Sequence, residues 1–212
     1  MKKLIETIKN IFKIEELRKR ILFTLALILV YRFGSFVVIP GINPEALQAL
    51  QSQVEGNGLM GLLNIFSGGA FSNASIFALG IMPYISASIV IQLMGIVVPY
   101  FQKLQKEGES GRRKINQWTR YLTIIVLLLQ GPAYLANLHA QLPDAAFVLG
   151  RGSVLFTVSA TIVLIAGTMF VMWLGEKITD KGIGNGISLI IMIGIVARLP
   201  HALLAEVNAR FQ

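Results

Sequence analysis

Long hydrophobic runs with almost no charge recur five times along the chain. An α-helix rises about 1.5 Å per residue and the hydrocarbon layer of a bilayer is about 30 Å thick, so about 17–25 apolar residues cross it. Runs of about this length predict transmembrane helices at 21–39, 74–98, 118–138, 153–174 and 183–199. A single run could be a buried helix of a soluble protein, but five independent runs predict an all-α membrane protein.

A sixth apolar stretch, LMGLLNIFSGGAF at 59–71, lies in the long segment 40–73 between the first two predicted helices. It is too short to cross a bilayer, and Gly61, Gly68 and Gly69 interrupt it. Such a stretch is typical of a re-entrant helix, which enters the membrane without crossing it. A loop on the membrane surface fits the same residues equally well.

Two polar segments have a pattern of their own. Within residues 1–20, apolar positions at 4–14 recur at helical spacing with lysines on the other face, which predicts a cytosolic amphipathic helix on the membrane surface. A docking surface for a partner helix is the alternative. The segment 99–117 is long, polar and basic. It either fixes the membrane topology alone or also docks an anionic protein or ribosomal RNA.

Composition and charge support this topology. The chain is 54% hydrophobic and 14% charged, with a net charge of +8, whereas soluble domains carry about 25% charged residues. Most of its Lys and Arg precede the first run, surround the start of the third, or lie in 175–182, while 40–73 has none. Basic segments stay cytoplasmic, so we predict a cytoplasmic N-terminus and an outside C-terminus. Topology then explains the charge without nucleic acid.

The second and fifth runs differ from simple membrane anchors. Pro83 removes a backbone hydrogen bond and is expected to kink the second helix. An isoleucine stripe runs along each helix at i, i+4 and i+8: Ile81, Ile85 and Ile89 on the second, and Ile187, Ile191 and Ile195 on the fifth. In a membrane helix such a stripe faces lipid, packs against a neighbour or lines a pore.

Chemistry-bearing residues are scarce. The chain has no Cys, and the interiors of the predicted spans hold Arg32, Gln92 and Gln130 but no carboxylate for a proton relay. His139 and His201 have no second ligand at metal-binding spacing. We therefore expect no enzyme, no cofactor and no metal site. Arg32 is expected to reach an interface or to pair with a polar group on another helix.

Three segments carry a family resemblance. ASIFALGIMPYISASIVIQL at 74–93, KEGESGRRKINQWTRY at 106–121 and MFVMWLGEKITDKGIGNGISLII at 169–191 resemble the SecY protein translocase family, in family order. The resemblance implies a ten-helix channel of two inverted halves, of which this chain supplies the first five helices plus a short re-entrant plug helix within 57–72. It implies transport of unfolded secretory proteins across, and insertion of membrane proteins into, the bacterial plasma (inner) membrane.

The resemblance also assigns roles to residues. An apolar pore ring would comprise Ile81, Ile85, Ile187 and Ile191. The plug would comprise Leu59, Met60, Leu62, Leu63, Ile65 and Phe66. Cytosolic docking of a SecA-type motor ATPase or the ribosome would use Lys106, Arg112, Arg113, Lys114, Lys177 and Lys181. The second and third helices would form one wall of a lateral gate.

Further partners implied are SecE-like and SecG-like membrane subunits, the translocating polypeptide, the lipid bilayer, and the C-terminal half of the same channel. External segments would be 139–152 and 200–212, the latter starting the hinge to five further helices. Without those helices we expect no sealed pore, and a fragment, a truncated product and one part of a split channel all fit the sequence. A non-conducting scaffold or assembly subunit is the alternative function.

Overall fold

The structure, a computed structural model, describes residues 14–47, 58–148 and 153–211. Within these ranges the long regular elements are all helices. They are α1 (Glu15–Gly34), α2 (Gly58–Phe66), α3 (Met82–Val97), α4 (Pro99–Lys106), α5 (Glu109–Gln141), α6 (Val154–Lys181) and α7 (Gly186–Phe211). Short 3-10 turns occupy Pro44–Ala46 and Asp144–Ala146. The amphipathic pattern predicted at 4–14 lies almost entirely outside the described residues.

Two described helices are long and apolar enough to cross a membrane alone. They are α5, with 33 residues, and α6, with 28. A third crossing results if α3 and α4, which meet at a 99° bend, count as one broken span. The apolar part of α7, Gly186–Ala197, is shorter, and α1 carries charges in its first two turns. Large apolar side chains such as Leu29 (69% exposed) and Leu129 (74%) cover the outer surface, as lipid-facing helices require.

The second predicted helix starts later than expected. Residues 74–81 form turns, and α3 begins at Met82. Pro83 therefore lies in the first helical turn, where its missing N–H costs no intrahelical bond, and the predicted kink is wrong. Hydropathy alone favoured a longer helix because the turns are as apolar as the helix that follows.

The segment expected to be a polar loop at 99–117 is largely helical. After Val98, α4 runs to Lys106, and α5 begins at Glu109. Gly108, with φ +69°, makes the break between them. Gly111 is a close-packing position, because a Cβ there would collide with the carbonyl of Leu104.

The connection between α6 and α7 is also shorter than expected, because α6 continues to Lys181 through the segment 175–182. The hydroxyl of Thr24 accepts the Ile183 N–H at 3.1 Å, and the hydroxyl of Thr179 accepts the Gly186 N–H at 2.9 Å. Asn185 Oδ1 accepts two backbone N–H groups of the first turn of α7, at 3.0 and 3.2 Å, as a helix N-cap does.

Helix α1 ends at Gly34, five residues before the predicted end at 39. At Gly34 the Phe77 ring occupies the space that a side chain would fill. The chain then pairs by backbone hydrogen bonds with the segments that precede α3 and α6. We call these contacts the loop seam. They join Ile39 N to Ala74 O and Ile76 N to Val37 O at 2.9 Å, Asn43 N to Ala146 O at 2.9 Å, and Val148 N to Gly41 O at 3.0 Å.

Three apolar clusters fill the interior of the part of the chain that the structure describes. The outer cluster lies beside the loop seam and includes Phe71, Leu138 and Phe156. The middle cluster includes Tyr31, Phe77 and Ile190. The third joins α3, α4 and the start of α5 through Ile91, Phe101 and Leu104. The outer and third clusters lie at opposite ends of α5, and the middle cluster brings α1, α3, α6 and α7 together.

Candidate pore constriction and plug

All four predicted ring isoleucines lie in the middle cluster. Ile81 is the residue before α3 and is 4% exposed, and Ile85 lies in the first turn of α3. Ile187 and Ile191 lie in the first two turns of α7. Ile85, Ile187 and Ile191 are half-buried and pack against the cluster of buried residues that includes Ile81. The fold thus gathers side chains more than 100 positions apart into one apolar group.

The third member of each isoleucine stripe is more exposed than the first two. Ile89 is 51% exposed and Ile195 is 38% exposed. The spacing i, i+4, i+8 therefore groups residues with different surroundings, because only the first two turns of α3 and α7 contribute to the middle cluster.

A polar cavity of about 240 Å³ adjoins Ile187. Its lining consists of Tyr84, Asn116, Arg120, Glu176, Thr179, Asp180, Asn185 and Ile187. Polar groups from α5, α6 and the start of α7 thus lie next to an isoleucine of the apolar group. A polar-to-apolar boundary lies within a few residues along the first turn of α7.

An ion pair between helices borders this cavity, and sequence reasoning missed it. Arg120 of α5 donates to both carboxylate oxygens of Glu176 of α6, at 3.3 Å from Nε and 2.5 Å from Nη2. Such a two-point contact fixes orientation as well as distance. The sequence offers no signal for it, because the partners are 56 residues apart.

The predicted docking residues lie on three helix ends, and the Arg120–Glu176 pair connects two of these helices, α5 and α6. Lys106 ends α4, and the first turns of α5 carry three basic residues in succession, Arg112, Arg113 and Lys114, all exposed. Lys177 and Lys181 lie in the last turns of α6. Lys114 pairs with Glu107 at 3.3 Å, and Lys177 lies 5.8 Å from the centre of the Trp173 ring.

The predicted plug segment contains a nine-residue helix, α2. Leu63 packs against the outer cluster, whereas Leu62, Ile65 and Phe66 are exposed. The side chains of Leu59 and Met60 lie outside the described residues. One side of α2 is therefore packed and the other presents apolar groups.

Between α2, α3 and α5 lies a mainly apolar cavity of about 330 Å³. Leu63 of α2 and Tyr134 of α5 contribute to its wall, and so do Ser86 and Gln130. Gln130, a polar residue within a predicted span, thus faces a cavity beside α2, the predicted plug.

Arg32 pairs with a backbone carbonyl, which refines the sequence expectation. Its Nη1 donates to Gly68 O at 2.7 Å, in the turn after α2, and its guanidinium lies 5.0 Å from the centre of the Phe36 ring. The neighbouring Tyr31 hydroxyl donates to Ser67 O at 3.4 Å. A charge inside an apolar run signals a functional residue, but its backbone partner has no sequence signature.

A family model and the curated relatives of this chain point to the same protein family. The SecY family model matches residues 75–211. The protein translocase subunit SecY of Streptomyces scabiei is 48% identical over 198 residues, covering 91% of this chain and 45% of that protein. The same subunit of Escherichia coli strain K12 is 50% identical over 188 residues, covering 89% and 42%. This chain thus spans less than half the length of both relatives.

A solved structure has a similar fold. It is described as Sec61 in the canine ribosome-channel complex from the endoplasmic reticulum, and it matches with a TM-score of 0.51 at 20% identity. The match covers 84% of this chain and 36% of that chain.

Proposed function

Because this chain belongs to the SecY family, we propose that it forms the N-terminal half of a protein-conducting channel for unfolded secretory and membrane proteins. In this proposal α1, the bent pair α3–α4, α5, α6 and α7 provide five crossings of the bacterial inner membrane. The N-terminus is cytoplasmic and the C-terminus is outside, and α2 is the plug. A second set of helices completes the pore.

One observation carries the proposal. The isoleucines at 81, 85, 187 and 191 belong to one apolar cluster, to which α1, α3, α6 and α7 all contribute. In a complete channel, this surface is half of a constriction whose walls offer no polar group to a passing chain. An apolar constriction dewets when it is empty, so it resists ions without binding cargo.

The polar cavity gives this constriction an entrance. It adjoins Ile187 and borders the helix ends that carry Lys177 and the exposed basic residues of α5. On the proposed topology, the cavity lies on the cytosolic side of the constriction, where a hydrated polypeptide enters. The step from polar cavity to apolar group supports an hourglass-shaped path.

The basic helix ends support a docking surface for a cytosolic partner. Arg112, Arg113 and Lys181 are exposed, and an anionic face of a SecA-type motor or of the ribosome complements them. The solved Sec61 relative is described in a ribosome-channel complex. SecE-like and SecG-like subunits complete the proposed assembly, in which α3 and α5 form one lateral-gate wall.

The test is crosslinking to a stalled secretory chain in a complete channel that contains this chain. Because the chain has no Cys, single cysteines can be placed at Ile81 and Ile191. Matched controls are cysteines at the exposed Val90 and Val196, on other faces of the same two helices. We expect capture at positions 81 and 191 and little capture at 90 and 196.

Capture mainly at 90 and 196 would overturn the channel proposal, because cargo would then contact the lipid side. Stable binding of a SecE-like partner with no capture at any of the four positions would favour the alternative, a scaffold or assembly subunit that does not conduct.

A further inference from the structure

The turn that follows α2 is held by α1 through two hydrogen bonds to backbone carbonyls. Arg32 Nη1 donates to Gly68 O at 2.7 Å, and the Tyr31 hydroxyl donates to Ser67 O at 3.4 Å. The first bond has a charged donor, and such bonds are about twice as strong as neutral ones. No acidic side chain among the described residues pairs with Arg32, so this carbonyl is its anchoring contact there.

Helix α7 supports the same turn from another side. A Cβ built on Gly194 would lie 2.9 Å from Phe66 O, and one built on Gly68 would lie 3.0 Å from the Gly194 Cα. Two backbones therefore touch where neither residue has a side chain. The turn is enclosed between α1 and α7.

The turn also has an internal frame. Gly68 and Gly69 adopt φ of +65° and +91°, which glycine tolerates. Asn64, at the end of α2, accepts the Ser72 N–H through Oδ1 at 3.0 Å, bridging the turn. Its Nδ2 is buried and has no acceptor among the described residues. A buried donor without a partner is unfavourable, so the docked arrangement includes a built-in cost.

The turn after α2 is therefore packed more tightly against the rest of the structure than α2 itself. Residues 67–72 are almost wholly buried, whereas Leu62, Ile65 and Phe66 on α2 are exposed. We propose that Arg32 is a positioning residue that latches the pivot of the plug, so that α2 swings about a turn fixed to α1. This inference rests on the proposed channel function. Loss of the latch lets the pivot itself move and unseals the closed state.

The experiment compares Arg32→Met, which keeps an unbranched side chain but has no hydrogen-bond donor, with Arg32→Lys, which keeps a charged donor. Arg18→Met is the matched control, because Arg18 is exposed near the start of the same helix. Each variant is placed in the complete channel in liposomes, and ion leak is measured without cargo. A second readout is the reactivity of a cysteine at the buried Ser72 toward a small thiol reagent.

We expect Arg32→Met to raise leak and Ser72→Cys reactivity about tenfold, which corresponds to about 1.4 kcal/mol. Arg32→Lys should raise both less, and Arg18→Met should match the wild type. Unchanged leak and reactivity in Arg32→Met would overturn the latch, and so would equal effects of the Met and Lys variants. If the wild-type channel does not move cargo, the proposed function is refuted instead. The thiol reactivities still show whether Arg32 holds the turn after α2.

Discussion

At the scale of single residues, the pair Arg120–Glu176 joins α5 to α6 beside the polar cavity. The Glu176 side chain is 22% exposed, so it is partly removed from water. Replacing Arg120 by Gln leaves that carboxylate without its two-point partner. We expect a loss of about 1 kcal/mol in unfolding free energy, at the upper end for ion pairs that reach solvent, measured by denaturant unfolding in detergent.

A charge swap provides the check. Arg120→Glu combined with Glu176→Arg should recover most of the loss. Lys114→Gln removes a more exposed pair, with side chains 54% and 43% exposed, and should change stability by less than about 0.5 kcal/mol. Equal losses for Arg120→Gln and Lys114→Gln would contradict a special role for the interhelical pair.

The proposed apolar constriction leads to a second prediction at the scale of single residues. Ile187→Asn places an amide in the middle cluster and favours water there, so ion leak through a complete, idle channel should rise several-fold. Ile195→Asn makes the same change about two turns further along the same stripe, at a position 38% exposed, and should leave the leak near the wild-type value. Planar-bilayer conductance measures both, and matching leaks would argue against a constriction at Ile187.

Sequence patterns identify these isoleucines because i, i+4 spacing is local to one helix. They could not identify what Arg32 or Gly194 contacts. Arg32 reaches a carbonyl 36 positions away. The need for glycine at position 194 arises only because α7 contacts the backbone at the end of α2. Contacts to backbone leave no complementary side chain for a pattern to reveal.

At the scale of elements, hydropathy identified α5 and α6 well and misjudged the boundaries around them. The turns at 74–81 are apolar and buried, so hydropathy extended α3 over them. The first turns of α5 are polar and exposed, so composition assigned them to a loop. Helix ends depend on hydrogen bonds and packing, such as the break at Gly108, which average hydrophobicity does not register.

Gly111 tests one of these boundaries. Gly111→Ala adds a methyl group that meets the Leu104 carbonyl of α4, and since a backbone carbonyl yields little, α4 must shift away from α5. We expect about 1–3 kcal/mol of destabilisation, read from the thermal midpoint in detergent. Gly58→Ala, where a Cβ meets nothing within 4 Å, should be nearly neutral. A neutral Gly111→Ala would mean that α4 does not pack as described.

At the scale of the whole molecule, the asymmetric distribution of charge sets the proposed orientation. The exposed basic residues at the start of α5 and the end of α6 lie at one end of the helices. The segment 35–47, which has no Lys or Arg, lies at the loop seam. The proposed orientation rests on these basic residues, and it can be tested independently of transport.

Cysteines at Ser110 and Glu45, both exposed, report the two sides in intact cells. A membrane-impermeant thiol reagent should label Glu45→Cys directly, and Ser110→Cys only after permeabilisation. Cells that label in the opposite order would refute the proposed orientation while leaving the family membership intact.

The loop seam has a mechanical consequence. Backbone hydrogen bonds at 2.9–3.0 Å join the segment after α1 to residues 74–76 before α3 and to residues 146–148 after α5, so these three segments cannot separate without breaking several bonds together. If the proposed pore widens to admit a bulky chain, the widening must then be smallest at the loop seam and largest at the parts of the helices away from it. In the proposed channel, the helices of this chain would therefore move as one unit rather than separately.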